Sequence, residues 1–488
     1  MGQRQDPEGR RLPIKLDSTS NGEFAPVPLA PEHHHANALA NDLAELNARR
    51  LGVSRRCFLV SACGAASSLL AMNAAYASAG KRGGFFQVPA EAALEPAAAE
   101  AAVSGNEFIF DVQGHFVNPT GAWTRAIPEG ARPLASFDTQ GCAAAALGGQ
   151  LDHLQCFGPD AFLRDIFLDS DTSLMVLSFV PSTREGEPLT IEEAAATEAI
   201  VEKMEGTHRL FLHGRVNPNQ AGDLEDMDRL AASFPISAWK TYTQWGPNGE
   251  RGFWMDDDVG LAMIEKARKL DIRNIAIHKG LPFGPRSYEY STCADIGRVG
   301  KRFPDMNFLI YHSGFVTDKP EGPYDPDRKD GIDALVTSVR EAGLGEGSNV
   351  YAELGSTWRF LMRDPDSAAH ALGKLLLHLG EENILWGTDS IWYGSPQDQI
   401  QAFRTFQISA ELREQYGYPE ITPAIRAKIF GLNALKIYPV AREVLDRHLR
   451  GDAVARAREN YRNDPDPSFL THGPRTRREF LNLKAWGG

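Results

Sequence analysis

NIAIHKG at residues 274–280 and NFLIYHSG at residues 307–314 are two apolar runs of strand length, and each ends at a histidine that glycine follows within two residues. Two further runs have the same form: FIFDVQGHFV (108–117) reaches His115, and ILWGTDS (384–390) reaches Asp389. In a parallel β/α barrel, side chains just past the strand ends converge on one face, and histidine and carboxylate groups there are typical metal ligands. The four runs therefore indicate a metal-dependent enzyme built on a barrel.

The chain around these runs alternates between strand-type and helix-type patterns. The candidate strands are the apolar runs at 108–112, 173–181, 210–218, 236–242, 274–278, 307–312, 349–354 and 383–389. Helical patterns separate them, for example at 190–205, 223–233, 257–270, 292–302, 331–342, 367–379 and 397–412, and a last one follows at 423–437. About eight strand–helix units in order is the number that a (β/α)8 TIM barrel, an α/β fold, requires. We expect this barrel to span residues 106–440.

The composition is that of a globular protein, with 42% hydrophobic and 24% charged residues in a chain of 488. Length alone suggests about three domains, but an α/β barrel uses roughly 250 residues or more as a single domain. The formal net charge of -13 argues against nucleic acid or an anionic membrane surface as the main partner, because both are bound through basic patches. The charge leaves a small molecule or a protein open as the partner, and we expect a small-molecule substrate.

Residues 54–79 have the pattern of a twin-arginine signal peptide. Ser54-Arg55-Arg56-Cys57-Phe58-Leu59 opens an alanine-rich, weakly hydrophobic stretch, which ends in the small-x-small patterns Ala75-Tyr76-Ala77 and Ala77-Ser78-Ala79. We therefore expect the twin-arginine translocation machinery to be a partner and the protein to be periplasmic or extracellular, or membrane-tethered if the signal is not cleaved. The alternative is a packed helix that begins at residue 56.

Three other segments flank the predicted barrel. Residues 1–53 are polar, contain proline and lack periodicity, and residues 80–105 are rich in alanine, glycine and glutamate, so we predict a disordered extension and a linker. Residues 441–488 carry many charges and begin with a helical pattern. We predict that they form a C-terminal helical arm, which packs on the barrel or on another subunit; the second case would make the protein a homo-oligomer.

Several spaced motifs resemble those of one family. They are Gln113-Gly114-His115, Ile277-His278-Lys279-Gly280, Tyr311-His312-Ser313-Gly314, Trp386-Gly387-Thr388-Asp389-Ser390 and, late in the chain, Gly431-Leu432-Asn433-Ala434. In this order they resemble the amidohydrolase-related (amidohydrolase 2) family, which includes aminocarboxymuconate-semialdehyde decarboxylase and its relatives. The resemblance spans roughly residues 106–440 and implies a TIM barrel with a metal site.

Carried over to this chain, the resemblance implies that His115, His278 and Asp389 bind one divalent metal ion, and that His312 and Asp389 handle protons. Imidazole and carboxylate suit zinc or a similar divalent ion such as manganese. The family pattern has H-x-H at the first strand, whereas Gln113 stands here in place of the first histidine. An amide oxygen is a weaker and harder ligand. Gln113 is therefore expected to ligate weakly, to hold a bound water, or to leave a more open site.

Five further residues are candidates for substrate binding. Lys240 ends the fourth run, where it would pair with a substrate carboxylate or, as in some distant barrel hydrolases, become carboxylated and bridge two metals. Glu353 ends the seventh run, with a supporting hydrogen bond or salt bridge as the alternative role. Arg286, Arg359 and Trp392 are pocket candidates by position alone.

Three functions agree with these residues. The first is a metal-dependent hydrolase, in which metal-activated water attacks a small-molecule amide, ester or lactone. The alternative is a metal-dependent non-oxidative decarboxylase of an aromatic or unsaturated carboxylate, because the resembling family includes decarboxylases. The third is an exported binding protein that keeps the barrel but has lost catalysis through the change at Gln113. Fold alone does not separate these functions.

Overall fold

The computed structural model describes residues 4–120, 123, 156–203, 208–247, 251–282 and 288–484. The strands are β1 (Gly84–Phe86), β2 (Phe110–Gly114), β3 (Leu174–Leu177), β4 (Leu210–Arg215), β5 (Ile236–Tyr242), β6 (Asn274–His278), β7 (Asn307–Tyr311), β8 (Val350–Glu353), β9 (Ile384–Leu385) and β10 (Phe406–Ile408). Strands β2 to β9 form one sheet in sequence order, and every neighbouring pair in it is parallel. This is the strand arrangement that the sequence predicts.

Hydrogen bonds between strand β2 and the residues that follow β9 close the sheet. The amide of Val112 donates to the carbonyl of Trp386 at 3.0 Å, and the amide of Asp389 donates to the carbonyl of Gln113 at 2.9 Å. A parallel bridge also joins Gly114 to Ser390. The sheet is therefore a barrel, and the predicted TIM-barrel fold is confirmed.

Helices follow most strands and cover the outside of the barrel. Their bounds are α1 Pro31–Leu51, α2 Arg55–Leu59, α3 Ala62–Ser78, α4 Pro96–Val103, α5 Pro159–Leu163, α6 Ile191–Lys203, α7 Asp223–Ser233, α8 Asp258–Lys269, α9 Tyr288–Ser291, α10 Ile296–Arg302, α11 Gly331–Glu341, α12 Thr357–Leu361, α13 Pro365–His378, α14 Gln397–Thr405, α15 Ala410–Tyr416, α16 Pro423–Ala427, α17 Ala434–Ile437, α18 Arg442–Arg450, α19 Ala453–Asn463 and α20 Arg477–Lys484.

Alternation along β6 shows how the strands position the site. Ile275 and Ile277 belong to the large hydrophobic cluster between sheet and helices, whereas Ala276 belongs to the smaller cluster inside the barrel. Because side chains alternate along a strand, His278 points to the same interior as Ala276. It stands at the carboxyl end of the strand, the end that carries the active site in TIM-barrel enzymes.

Residues 1–53 are predicted to be a disordered extension, whereas the structure places a helix in residues 31–51 of this segment. Residues 31–51 form α1, which packs against α3, and the interface is built from small side chains such as Ala36, Ala44 and Ala66. Alanine contributes little hydrophobic area per residue, but it lets helices approach closely. Composition alone therefore underestimates the tendency of such a segment to form packed helices. Residues 80–105 are also more than a linker, because β1 pairs antiparallel with β10 and α4 packs on α3.

The paired arginines are engaged in contacts within the fold. Nε of Arg55 donates to the carbonyl of Gly9 at 2.8 Å, and Arg56, 6% exposed, donates to Oδ1 of Asp466 at 2.7 Å. Helix α2 begins at Arg55 and is packed in this conformation, and the export signal stays a prediction. Across the described ranges, the structure contains no helix that is both long and apolar enough to span a bilayer.

The C-terminal arm packs on the barrel of its own chain. Arg209, which precedes β4, is fully buried and donates two hydrogen bonds of 2.7 Å to the carboxylate of Asp452. In α19, Nε of Arg458 donates to the carbonyl of Phe167 at 2.8 Å. These contacts lie within one chain, and packing of the arm on another subunit stays a prediction.

Candidate metal centre and active site

The side chains at the strand ends converge around the amide of Gln113. Its Nε2 lies 3.1 Å from Oδ1 of Asp389, 3.4 Å from Nε2 of His115 and 3.5 Å from Nε2 of His312. The imidazole ring of His278 lies beside that of His312, with 4.4 Å between ring centroids. The structure therefore brings together all five residues that the motifs single out.

Backbone carbonyls orient two of the imidazole rings. Nδ1 of His115 lies 3.1 Å from the carbonyl oxygen of Ser178, and Nδ1 of His312 lies 2.6 Å from that of Gly355. Because a carbonyl only accepts, each Nδ1 carries a hydrogen and each Nε2 faces the site; in a neutral His312 ring this Nε2 has a lone pair. This is how metal-binding or proton-accepting histidines are held in place.

The backbone at the site adopts conformations that L-residues avoid. His312, Ser313, Ser356 and Asp389 all have positive φ, between 51° and 65°. Such left-handed conformations cost of order 1–3 kcal/mol each and persist only where the surroundings impose them, commonly at functional sites. The turns after β7, β8 and β9 therefore hold their side chains at an energetic cost.

Burial and neighbouring charges set the protonation states in the site. Burial lowers the pKa of His312 to about 4 and that of His278 well below its usual value, so both rings are neutral at pH 7. Burial raises the pKa of Asp389, but the hydrogen bond and charge of His115 outweigh it, and the net shift is downward. Neutral imidazoles beside an ionised carboxylate are the forms that bind a divalent cation.

The carboxyl group of Glu353 binds backbone amides of the turns that carry the site residues. Its Oε2 accepts from the amide of His312 at 3.0 Å and its Oε1 accepts from the amide of Gly355 at 2.6 Å. Burial raises the pKa of its carboxyl to about 8, so it is mostly protonated at neutral pH. It positions the turns that carry His312 and Ser356, which is the supporting role given above as its alternative.

Lys240 lies inside the barrel beneath the site. Its Nζ stands 3.8 Å from the ring centre of Tyr311 and 4.6 Å from that of Tyr242, and it has no hydrogen-bond partner among the residues that the structure describes. Burial lowers the pKa of its amine to about 7, against the attraction of Glu23 and Glu353. Lys240 is therefore cationic only in part at neutral pH.

Of the remaining predicted pocket residues, one lies beside the site and one lies away from it. The ring of Trp392 stacks near His115, with 6.3 Å between centroids, and both residues line one small cavity. Arg359 is instead buried in ion pairs with Asp17 at 3.2 Å and Asp398 at 2.9 Å, so the structure does not place it where a substrate would reach it. Arg286 lies outside the described residues.

Two site residues were missed by sequence reasoning, and both come from the N-terminal segment. Nδ2 of Asn21 donates to Oδ2 of Asp389 at 2.5 Å. The carboxylate of Glu23 lies 3.4 Å from Nδ1 of His278 and 3.7 Å from Nε2 of His312. The dipeptide Asn21-Gly22 signals a turn, but no local pattern indicates where that turn docks.

The donor atoms at this point fit a divalent metal ion. Ligand atoms of Glu23, His278 and His312 all lie within 4.8 Å of one another. Oε1 of Gln113 is buried and accepts no hydrogen bond from the described part of the chain. The side chains of His115 and Asp389 lie next to this set, at 3.1 Å from each other. Imidazole nitrogen, carboxylate and amide oxygen are the ligands that such an ion takes from proteins.

A comparison with protein families agrees with this geometry. The amidohydrolase family model matches residues 110–440, which is more than half of the chain and includes the barrel strands β2 to β9. The chain belongs to the amidohydrolase family. A search of curated proteins found no match for this amidohydrolase.

Solved structures that are similar to this chain include two decarboxylases and one protein described as a putative amidohydrolase. The 5-carboxyvanillate decarboxylase of Sphingomonas paucimobilis is 13% identical, with a TM-score of 0.39, and the match covers 68% of this chain and 99% of that one. The 5-carboxyvanillate decarboxylase of Novosphingobium aromaticivorans, solved with manganese, is 12% identical, with a TM-score of 0.41 and coverages of 68% and 95%. A putative amidohydrolase from Staphylococcus aureus is 13% identical, with a TM-score of 0.36 and coverages of 68% and 99%.

Proposed function

We propose that this amidohydrolase is a metal-dependent, non-oxidative decarboxylase of a small aromatic or unsaturated carboxylate. One observation carries the proposal: the site already accommodates a carboxylate, that of Glu23, between His278 and His312. A pocket that holds a carboxylate against two neutral imidazoles and a cation site suits a carboxylate substrate better than a neutral amide.

His115, His278, Asp389 and Gln113 would hold the ion, which we propose to be zinc or manganese. When bound, such an ion supplies positive charge that holds an anionic substrate and polarises its oxygens. Zinc favours the imidazoles, whereas manganese favours the carboxylate and amide oxygens. The small cavity beside His115 and Trp392 marks the side of the site on which the rest of the substrate would lie.

In the reaction, the bond between the substrate carbon and its carboxylate breaks and carbon dioxide leaves. The electron pair stays on the carbon, which takes up one proton in place of the carboxylate. We assign the delivery of this proton to Nε2 of His312, because its Nδ1 is held by the carbonyl of Gly355 and the ring cannot turn away. Nε2 has to gain a proton first, from solvent or from an acidic group of the substrate.

Hydrolysis is the second candidate, and the ionised state of Asp389 supports it. A carboxylate that remains ionised next to a cation site can accept a proton from an attacking water. In this function the same residues would act on an amide, ester or lactone, and His312 would orient the water.

One labelling experiment separates the two reactions. The chain loaded with manganese or zinc, and its Glu23→Ala variant, would be incubated with a panel of aromatic carboxylates in deuterium oxide. Decarboxylation gives one carbon dioxide per product and one deuterium on the product carbon, with His278→Ala as the inactive control. With an aromatic ester or amide as the substrate, entry of ¹⁸O from labelled water into the released acid, without carbon dioxide release, would establish the hydrolase instead.

We also propose export by the twin-arginine route, on the strength of residues 54–79. The proposed cleavage positions are accessible, since Ala77, Ser78, Ala79 and Gly80 are all exposed. Recognition of the arginine pair requires Arg56 to leave its contact with Asp466. Replacing both arginines by lysine in a reporter fusion tests the proposal: the protein should then stay in the cytoplasm.

A further inference from the structure

A stretch of the N-terminal segment crosses the mouth of the barrel. We call residues Ile14–Phe24 the strap. Ile14, Leu16 and Phe24 are buried, and the ring of Phe24 packs edge-on against Phe360 with 4.6 Å between centroids. The apolar residues of the strap are thus buried in the fold, and the polar residues between them reach the site.

Charged and polar contacts fix the strap on both sides. Nζ of Lys15 pairs with Asp398 at 3.1 Å, and both side chains are almost fully buried. Oδ1 of Asp17 pairs with Arg359 at 3.2 Å. A buried ion pair such as Lys15–Asp398 is costly to break on one side only, because the remaining charge stays unpaired. The strap therefore has a defined position and is not a loose tail.

The tip of the strap fills the centre of the site. The side-chain oxygen of Asn21 accepts from the amide of Glu23 at 2.9 Å, which orients its Nδ2 outward. That Nδ2 donates to both Asp389 and Glu23, at 2.5 Å each, so a single amide bridges the two carboxylates. The carboxylate of Glu23 in turn stands against His278 and His312.

With the strap in place the site is closed to solvent. Gln113, His278 and His312 are 0% exposed and Asp389 is 1% exposed. Because the carboxylate of Glu23 lies against His278 and His312, a substrate carboxylate binds at that place only when the tip of the strap moves away. The apparent affinity for a ligand falls in proportion to the fraction of molecules in which the site is open.

We propose that the strap is a built-in competitor of the substrate, and that the carboxylate of Glu23 occupies the subsite of the substrate carboxylate in the full chain. The identity of the competing ligand rests on the proposed function. A tethered ligand competes at an effective concentration of roughly millimolar. Cleavage after Ala77 or Ala79 would separate the strap from the barrel covalently, because the strap lies before both positions.

The test measures ligand binding and not turnover, so it is independent of the reaction. The manganese-loaded full chain, Glu23→Ala, Glu23→Gln and the control Glu8→Gln would be titrated calorimetrically with benzoate, the simplest aromatic carboxylate. Glu8 is an exposed carboxylate of the same N-terminal region and makes no contact with the site. Bound manganese is measured in each sample, and circular dichroism checks that each variant is folded.

We expect Glu23→Ala to bind benzoate about tenfold more tightly or better, and Glu8→Gln to match the parent. Glu23→Gln keeps the volume of the side chain and removes its charge, so it should fall between the two. Equal benzoate binding in the parent and in Glu23→Ala would overturn the proposal. So would loss of manganese in Glu23→Ala, since Glu23 would then be a metal ligand. If Glu23→Ala binds benzoate tightly but shows no decarboxylase activity, the proposed reaction is refuted, whereas the proposal that the strap competes with a carboxylate ligand stands.

Discussion

Nε2 of His115 lies 3.1 Å from Oδ1 of Asp389, and the two residues follow the first and the last strand of the barrel. The amide of His115 also donates to the carbonyl of Ser390 at 2.6 Å. The contact between these two site residues therefore exists only when the barrel is closed. Metal binding should accordingly stabilise the closed barrel, because a ligand that binds only the folded state raises its stability.

Replacing His278 by alanine should remove both bound metal and activity. His278 offers a neutral imidazole, is fully buried and ends β6, where it faces the site. The loss in metal affinity should exceed the ~10–100-fold that removal of a supporting group costs. Elemental analysis of the purified variant measures it, with His378→Ala as a control away from the site. Full metal content and activity in the variant would disprove the role.

Replacing Gln113 by histidine should strengthen metal binding. The amide of Gln113 stands within 3.5 Å of His115, His312 and Asp389, and imidazole is a stronger ligand for zinc than an amide oxygen. We expect a gain of about tenfold, or about 1.4 kcal/mol, and a loss in Gln113→Ala. Competition with a chelating dye measures both variants. Unchanged affinity in both would mean that this position does not contact the ion.

The strand-end residues were predictable because their signal is local. An apolar run predicts a strand, and the polar residue that follows the run is then predicted to lie at the mouth of the barrel. His278 and His312 can therefore be predicted from a few neighbouring residues in the sequence. Asp389 and His115 follow the same rule. The central place of the Gln113 amide depends on three strands at once, and only the structure shows it.

The strap could not be predicted, because its polar residues find their partners far away in the sequence. Lys15 pairs with Asp398 and Asp17 pairs with Arg359, whereas Glu23 meets His278 and His312. A polar segment without periodicity has the composition of a disordered tail. What orders it is a set of polar contacts to residues far away in the chain, which leaves no periodic pattern in the sequence.

Replacing Gly355 by alanine should destabilise the site. A Cβ at this position would overlap Oε1 of Gln113 and lie 2.6 Å from Oε1 of Glu353. Both neighbours are fully buried, so the overlap forces a shift, at a cost of about 1–3 kcal/mol. Gly322→Ala is the matched control, because a Cβ there meets nothing within 4 Å. Denaturant unfolding and metal content are the measurements, and equal stability of the two variants would contradict the packing argument.

Replacing Lys240 by methionine should stabilise the protein most at low pH. Burial lowers the pKa of this amine from 10.5 to about 7, so below pH 7 the folded chain bears the full cost of a buried ammonium. Between about pH 7 and 10.5 the unfolded chain binds a proton that the folded chain does not, and the stability of the parent rises with pH. The advantage of Lys240→Met should therefore shrink by about 1.4 kcal/mol per pH unit over this range. Chemical unfolding of parent and variant at several pH values between about 6 and 9 measures the difference. An advantage that does not change with pH would show that Lys240 keeps its proton in the fold.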